Sequence, residues 1–296
     1  MSNQIPTGFS EEFTTEVKLL LQERGSKFGS AVMASRHVGK SAKAVEQIGA
    51  VSAVKRTTRH GDTPLVDTPH DARWVYPVDY EWADLIDAQD ELRSIASFES
   101  SYVLNASHAM RRAQDDEIIA AFFSDTTKTG EDGGTTVDWN TYSTSTATDH
   151  LVAAGGVGMT VAKLRSAKKA LMAAFVDVES DPLYVGIAAS QHDDLLGETL
   201  ATNLDYTTRP ALVDGRITSF MGFSFIDSER LPTGAGGARS CPAWAKSGMH
   251  LGVWNDVTGR VSERGDKSYA TQIYAKTTIG ATRLEEGKLV EILCSE

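Results

Sequence analysis

The apolar positions of this chain switch between two spacings, and the switches lay out its elements. In EEFTTEVKLLLQER, residues 11 to 24, Phe13, Val17, Leu20 and Leu21 recur at helical spacing, with Gly25 behind them as a C-cap. A helix of that length is about 20 Å long. It carries one apolar stripe and so needs another surface to lie on. Residues 26 to 50 are small and polar with scattered Lys and Arg, and read as an extended arm. Two β-prone runs, VSAVKRTTRH and RWVYPVDYEW, then flank GDTPLVDTPHDA, a stretch rich in turn formers. This pattern predicts a long hairpin over residues 51–82. Such a two-stranded ribbon has few apolar anchors and is marginal by itself.

The clearest helix is SSYVLNASHAMRRAQDDEIIAAFF, residues 100 to 123, free of Gly and Pro and with Ser100 or Ser101 able to cap it. Its stripe of Val103, Ala106, Met110 and Ala113 resumes at Ile118 and Ala121. Residues 124 to 158 collect Thr, Gly, Ser and Asp and read as a loop or a pair of short edge strands. TVAKLRSAKKALMAAF predicts a second helix, with Val161, Leu164, Ala167, Leu171 and Ala174 in register. PLYVGIAAS reads as a buried strand and HDDLLGET as the beginning of a helix. GRITSFMGFSFIDSERLP, residues 215 to 232, reads as a strand pair broken at Met221-Gly222. GMHLGVW, SYATQIYAKTTIGATRL and KLVEILC supply the last strands. Strands interleaved with a few helices, without repeating βαβ units, argue for an α+β fold.

Composition narrows the function classes. The 296 residues are ample for a core, and 41% hydrophobic with 23% charged residues is ordinary for a folded soluble protein. The formal charge of −11 opposes tight, sequence-independent binding to a polyanion. The only cysteines, Cys241 and Cys294, make no disulfide framework or zinc cluster and read as small buried thiols. MSNQIPTGFSEE lacks the regions of a signal peptide, and no apolar run approaches a membrane span. The expected compartment is the cytoplasm.

Several motifs resemble chemistry and fail on spacing. Ser52–Lys55 and Ser166–Lys169 fit S-x-x-K, and Lys128-Thr129-Gly130 spells K-T-G. The nearest approach to S-D-N, Ser124-Asp125-Thr126, stops one residue before Lys128, so the two cannot face each other across a cleft. AAGGVGMT, residues 153 to 160, has neither the spacing nor the lysine of a phosphate-binding loop. Asp115-Asp116-Glu117 and His192-Asp193-Asp194 are consecutive on helices and point apart, so they do not converge on an ion. Arg111 and Arg112 stand four residues before Asp115 and Asp116 and suit a solvated or intersubunit ion-pair face. The seven histidines show no paired-ligand spacing, and no cofactor or catalytic constellation is expected.

Three segments together resemble the major capsid proteins of tailed bacteriophages, the Hong Kong 97-like family. Residues 75 to 123, from VYPVDYEWADLIDAQDELRS to DDEIIAAFF, are similar to the junction where that family's extended loop returns into a long spine helix. Asp84, Asp87, Arg112 and Asp116 are the polar markers. Residues 215 to 232 resemble the axial-domain strand pair, G-x-I-x-x-x-x-G-F followed by a Ser and Leu-Pro. Residues 248 to 296 are similar to the closing sequence, where a long strand runs into a glycine, then Ala-Thr-Arg, then a final hydrophobic strand.

The resemblance covers most of residues 50 to 296. It implies an N-terminal arm over 1–50, an extended β-hairpin loop over 51–82, and a peripheral domain over 83–150 rejoined by 255–283. An axial domain would take 151–254, rejoined by 284–296. The implied function is structural: hexamers and pentamers forming an icosahedral shell around double-stranded phage DNA, in virions assembled in the host cytoplasm. Intersubunit contacts are expected at Phe13, Val17, Leu20, Lys55, Arg56, Arg59, Asp62, Asp67, Arg73, Arg112 and Asp116. Only about fifty residues precede the loop, too few for a long built-in scaffolding segment, so a separate scaffolding protein and a portal are expected partners. An encapsulin-like nanocompartment shell is the alternative. A hydrolase with its site in residues 124 to 158 is a further one, distinguished by whether Ser, Lys and a carboxylate converge there.

Overall fold

The computed structural model describes residues 22–59, 61–86, 99–144, 150–198, 217–234 and 237–296, with backbone alone at 99–101. In chain order the strands are β1 (Met33–Arg36), β2 (Ala42–Ile48), β3 (His70–Val75), β4 (Val78–Ile86), β5 (Thr127–Thr129), β6 (Thr135–Val137) and β7 (Leu151–Val152). There follow β8 (Leu183–Ile187), β9 (Ser219–Phe220), β10 (Phe223–Asp227), β11 (Ala238–Ala245), β12 (Met249–Arg264), β13 (Ala270–Arg283) and β14 (Leu289–Ser295). The described helices are α1 (Glu99–Phe122), α2 (Trp139–Ser143), α3 (Val161–Ala173) and α4 (Ala189–Gly197). The fold is α+β, as the patterning predicts.

The chain forms two compact units. One takes in Met1–Gly25, Asp79–Ala113 and Asn255–Thr278, and the other Ser26–Val78, Gln114–Trp254 and Ile279–Glu296. In the first, β4, β13 and β12 lie side by side in that order. Ala106 and Met110 of α1 pack on Ala275, with Tyr80, Trp82 and Val257 around them. The burial of β13 alternates, Ile273, Ala275 and Thr277 inward and Lys276 outward, as a half-covered sheet requires. On the other face Tyr274 donates to Glu81 (2.9 Å) and Thr278 to Asp79 (2.7 Å). Val103, expected in the apolar stripe, is 43% exposed.

In the second unit a six-stranded sheet runs β7-β14-β11-β8-β10-β9. Its central strand β11 is buried almost throughout, although Pro242 stands in it. Pro242 pairs with Glu291 of β14, and its ring lies over Gly186 of β8, where a Cβ would meet it at 3.2 Å. Proline lacks a ladder donor, and the bare glycine makes room for its ring. Thr160 caps α3, whose Leu164, Ala167 and Leu171 are fully buried. β9 and β10 form the strand pair expected from residues 215 to 232, paired Phe220 to Phe223. Met221 (φ 53°) and Gly222 (φ 85°) both adopt the left-handed conformation of a tight hairpin turn. The α3 side chain Lys168 donates to the Met221 carbonyl at 2.8 Å.

Two sequence expectations need correction. Residues 26 to 50, expected as an extended arm, are anchored in the core at their start and paired in strands further on. Phe28 and Ala31 are completely buried, Phe28 rings with Phe122 and Trp244, and Trp244 donates to the Ala31 carbonyl at 2.9 Å. β1 then runs parallel to β12, Met33 opposite His250. The small residues of this stretch let the chain pass close over this core: a Cβ on Gly29 would lie 2.9 Å from the Gln114 side chain. The hairpin also has other strands than expected. β2 pairs antiparallel with β3, Ile48 opposite His70 and Ala42 opposite Val75. Residues 51 to 59, expected to be a strand, carry no regular structure. Their β propensity has no partner strand within this chain among the described residues.

The helix expected over residues 11 to 24 lies outside the described residues except for its end, where 22 to 24 are irregular and Gly25 has φ 74°. In 124 to 158, β5 pairs with β6 as a short strand pair, and α2, not anticipated, buries Trp139. The second helix ends at Ala173, earlier than Phe175. Val176 N–H bonds Leu171 and Phe175 N–H bonds Met172, a Schellman ending whose left-handed position is ordinarily glycine. Here it is Phe175, at φ 60° and 96% exposed.

Candidate functional site

The part of the chain that stands out from its own core is the loop between β2 and β3. Its neck is closed by a hydrogen bond from Gly49 N–H to the Pro69 carbonyl, 2.8 Å. The two ends approach so closely that a Cβ on Gly49 would lie 2.5 Å from the Pro69 ring. Between them the described residues are almost all exposed: Val51, Val54, Val66 and, at 99%, Leu65. Apolar side chains displayed on a loop of this length mark a surface that meets something.

Below the neck the hairpin is fixed. Asp71 accepts from the Thr129 hydroxyl (2.8 and 2.7 Å), from Gly130 N–H (2.7 Å) and from its neighbour Ala72 N–H (2.8 Å). Burial opposes ionisation of Asp71, but these hydrogen bonds and the Arg73 charge prevail and hold its pKa below the ordinary value. Trp74 donates to Gly130 at 2.9 Å. Arg73 donates to Glu286 (2.7 Å) and to the Leu284 carbonyl (2.9 Å). A rigid base thus presents a displayed loop.

The expected contact residues divide accordingly. Lys55, Arg56, Arg59, Asp62 and Asp67 lie exposed on the loop, where Arg56 reaches the Thr58 carbonyl at 2.9 Å and the carbonyl of Arg59. Phe13, Val17, Leu20 and the marker Asp87 lie outside the described residues. Arg73 is a correction: it is 6% exposed and held by its own chain, because it points from β3 into the Glu286 cluster. Arg112 donates to Gln22 Oε1 (2.6 Å) and the Glu23 carbonyl (3.2 Å), tying the start of the described chain to α1. Asp116 is bridged by Arg230, whose Nε lies at 2.7 Å. The neighbouring Asp115 does not lie on a solvated face. It is 1% exposed and accepts from Ser26 Oγ (2.6 Å), Lys27 N–H (2.8 Å) and Phe28 N–H (3.2 Å).

Two polar clusters are not visible in the sequence pattern, one fully buried and one half-exposed. Arg283 is completely buried and donates to the last carbonyls of α1, Ala121 (3.3 Å) and Phe122 (2.9 Å), and to Val137 (3.4 Å). Its guanidinium lies 5.2 Å from the Trp139 ring, and burial lowers its pKa to about 10 despite the nearby Glu286. The second cluster joins His37 and His250, Nε2 to Nε2 at 2.9 Å, with the Ser35 hydroxyl 2.9 Å from one and 3.1 Å from the other. Burial, then the adjacent His37, lowers the His250 pKa to about 4, and burial lowers that of His37.

Among the described residues the hydrolase reading fails on geometry. A cleft of about 220 Å³ is lined by Glu117, Ser124 and Lys128. Yet the Ser124 hydroxyl is engaged by Thr126 at 3.1 Å, and it makes no hydrogen bond to Lys128. Ser166 bonds back to the Ala162 carbonyl, and Thr129 of the K-T-G triplet is held by Asp71. No described helix is long and apolar enough to cross a membrane.

Comparison with known proteins gives a consistent answer. The model of the family described as phage capsid protein matches residues 5–296. Among solved structures, the chain superposes on the capsid of cyanophage Pam1 with a TM-score of 0.73 at 14% identity, covering 98% of this chain and 97% of that one. For Mycobacterium phage Che8 the TM-score is 0.71 at 16% identity, covering 96% and 97%. For the capsid of cyanophage P-SCSP1u it is 0.69 at 15%, covering 98% and 94%. At such identities the likeness establishes the fold, the Hong Kong 97-like one. No curated protein matches the chain in sequence.

Proposed function

The chain belongs to the phage capsid protein family, and from that premise we propose how its copies build and hold a shell. It is a major capsid protein, a structural component of the virion and not an enzyme. The proposed assembly runs through hexamers and pentamers into an icosahedral shell enclosing double-stranded phage DNA, formed in the host cytoplasm. The β2–β3 hairpin takes the part of the extended loop and lies over a neighbouring subunit. Residues 83–150 with 255–283 are assigned to a peripheral domain, and 151–254 with 284–296 to an axial domain. A separate scaffolding protein and a portal complete the assembly. A formal charge of −11 suits a container that holds DNA without gripping it along its whole inner face.

The observation that carries this reading is the family match across residues 5–296. The displayed loop supports it, since exposed apolar residues above a locked base suit a contact made with another copy. The test is electron microscopy and sedimentation of the full chain, alone and with a co-expressed scaffold. Hexamers, pentamers or closed particles are expected. A protein that stays monomeric under all these conditions overturns the assembly scheme.

A further inference from the structure

Strand β4 is the outer strand of its sheet among the described residues, next to β13 on one side only. An outer strand carries a row of backbone donors and acceptors ready for one more strand. β4 reads VDYEWADLI and holds Asp79, Glu81 and Asp84 with no basic residue. Residues 51 to 59, VSAVKRTTR, are the complement: β-prone, basic at Lys55, Arg56 and Arg59, exposed, and without a strand partner among the described residues. Both stretches are nine residues long, each spanning about 30 Å when extended.

We propose that residues 51–59 of one copy add as an antiparallel strand to the free edge of β4 in a second copy. This rests on the shell reading and names the contact the loop makes. Among antiparallel registers, one satisfies charge and face together. With Arg59 opposite Glu81, the pairing places Arg56 opposite Asp84 and Val54 opposite Ile86. Side chains alternate between faces, so 59 and 81 share one face while 54, 56, 84 and 86 share the other. A parallel arrangement that keeps Arg59 at Glu81 sets Asp62 against Asp84, like against like. Main-chain bonds along the edge supply the attachment, and the charge pairs fix the register. The local bonds of Arg56 to the Thr58 and Arg59 carbonyls are exposed and are given up on pairing.

Two measurements on the full chain test this. The first is hydrogen exchange of unassembled protein against assembled particles. Amides of 51–59 and of β4 should slow together by about tenfold or more on assembly. Particles in which 51–59 exchange as fast as in the free subunit overturn the proposal and leave the shell reading standing. If unmodified protein forms no particles, both fall. The second is cross-linking of a mixture of Arg56→Cys and Asp84→Cys proteins, oxidised with glutathione disulfide, where paired positions lie within disulfide reach. A dimer band absent from either protein alone is expected, and its absence from well-formed mixed particles counts against the register. An Arg56→Cys/Asp84→Cys double variant that closes within a single chain at high dilution shows the strand pairing internally and overturns the intersubunit claim.

Discussion

The guanidinium of Arg283 donates to the Phe122 carbonyl at 2.9 Å, so the C-terminal end of α1 is closed by a charge that has no contact with water. The carbonyls at a helix end lack partners within the helix and carry partial negative charge, so a cation is favoured there. Trp139 flanks the same group, and Glu286 lies 4.0 Å from its Nε.

Removing that group leaves helix carbonyls and Glu286 buried with less compensation. Arg283→Met is therefore expected to lower stability by about 3 kcal/mol, read as a shifted midpoint in urea unfolding of the unassembled chain. Arg283→Lys should recover only part of it, because one ammonium cannot reach three carbonyls in a fork.

Gly280 lies on β13 where a Cβ would fall 2.0 Å from the Tyr76 carbonyl oxygen, a backbone atom with little room to move. Gly280→Ala should cost about 3 kcal/mol or more and reduce soluble yield. A thermal midpoint unchanged from the parent chain would contradict the close approach.

His250 gives a pH dependence with a definite sign. Its folded pKa of about 4 lies below the ordinary 6.5, so the folded state binds fewer protons than the unfolded one. The stability tied to this group is complete above pH 6.5 and declines as pH falls toward 4, by roughly 2–3 kcal/mol in all. His37, lowered in the same direction, adds to it. In His250→Gln the loss between pH 6.5 and 5 should be visibly shallower than in the parent, followed by urea midpoints across that range.

Replacing residues 52–66 by a short Gly-Ser link should leave the subunit folded, with a thermal midpoint within a few degrees of the parent. The neck bond between Gly49 and Pro69 and the Asp71 anchors lie outside the deletion. Stable shells should be lost. A cut reaching Asp71 would remove anchors of the base and confuse assembly with folding.

Phe175 occupies a left-handed position with its ring 96% exposed. Phe175→Gly should therefore stabilise the isolated subunit by about 1 kcal/mol, seen as a higher thermal midpoint.

Much of the architecture was legible from periodicity. α1, α3 and the β9–β10 pair announce themselves because each buries one face of a regular element. The Gly280-Ala281-Thr282-Arg283 string was visible as a pattern, but its cause was not. The Tyr76 carbonyl and the α1 end that it serves lie about 200 and 160 residues away in sequence, and no local rule connects them. The arm misled because Phe28 is one aromatic residue among small polar neighbours, and its burial depends on Phe122 and Trp244 meeting it. The hairpin misled because β propensity marks residues able to pair, not those that do. Residues 51–59 have the composition of a strand, while β2, with Lys43, Glu46 and Gln47, holds the pairing place. Arg73 looked like a surface charge for want of any sign of Glu286 beside it.

The tie between Gly49 and Pro69 has a practical corollary. Once the two ends of a loop are stapled together, lengthening its far side adds only a logarithmic entropic term, about 0.6 kcal/mol per doubling. A peptide or small module spliced between Asp62 and Leu65, past the basic segment, would ride on this stalk without disturbing the body beneath. Every subunit would carry one, turning the particle into a dense, regular array of whatever is grafted there.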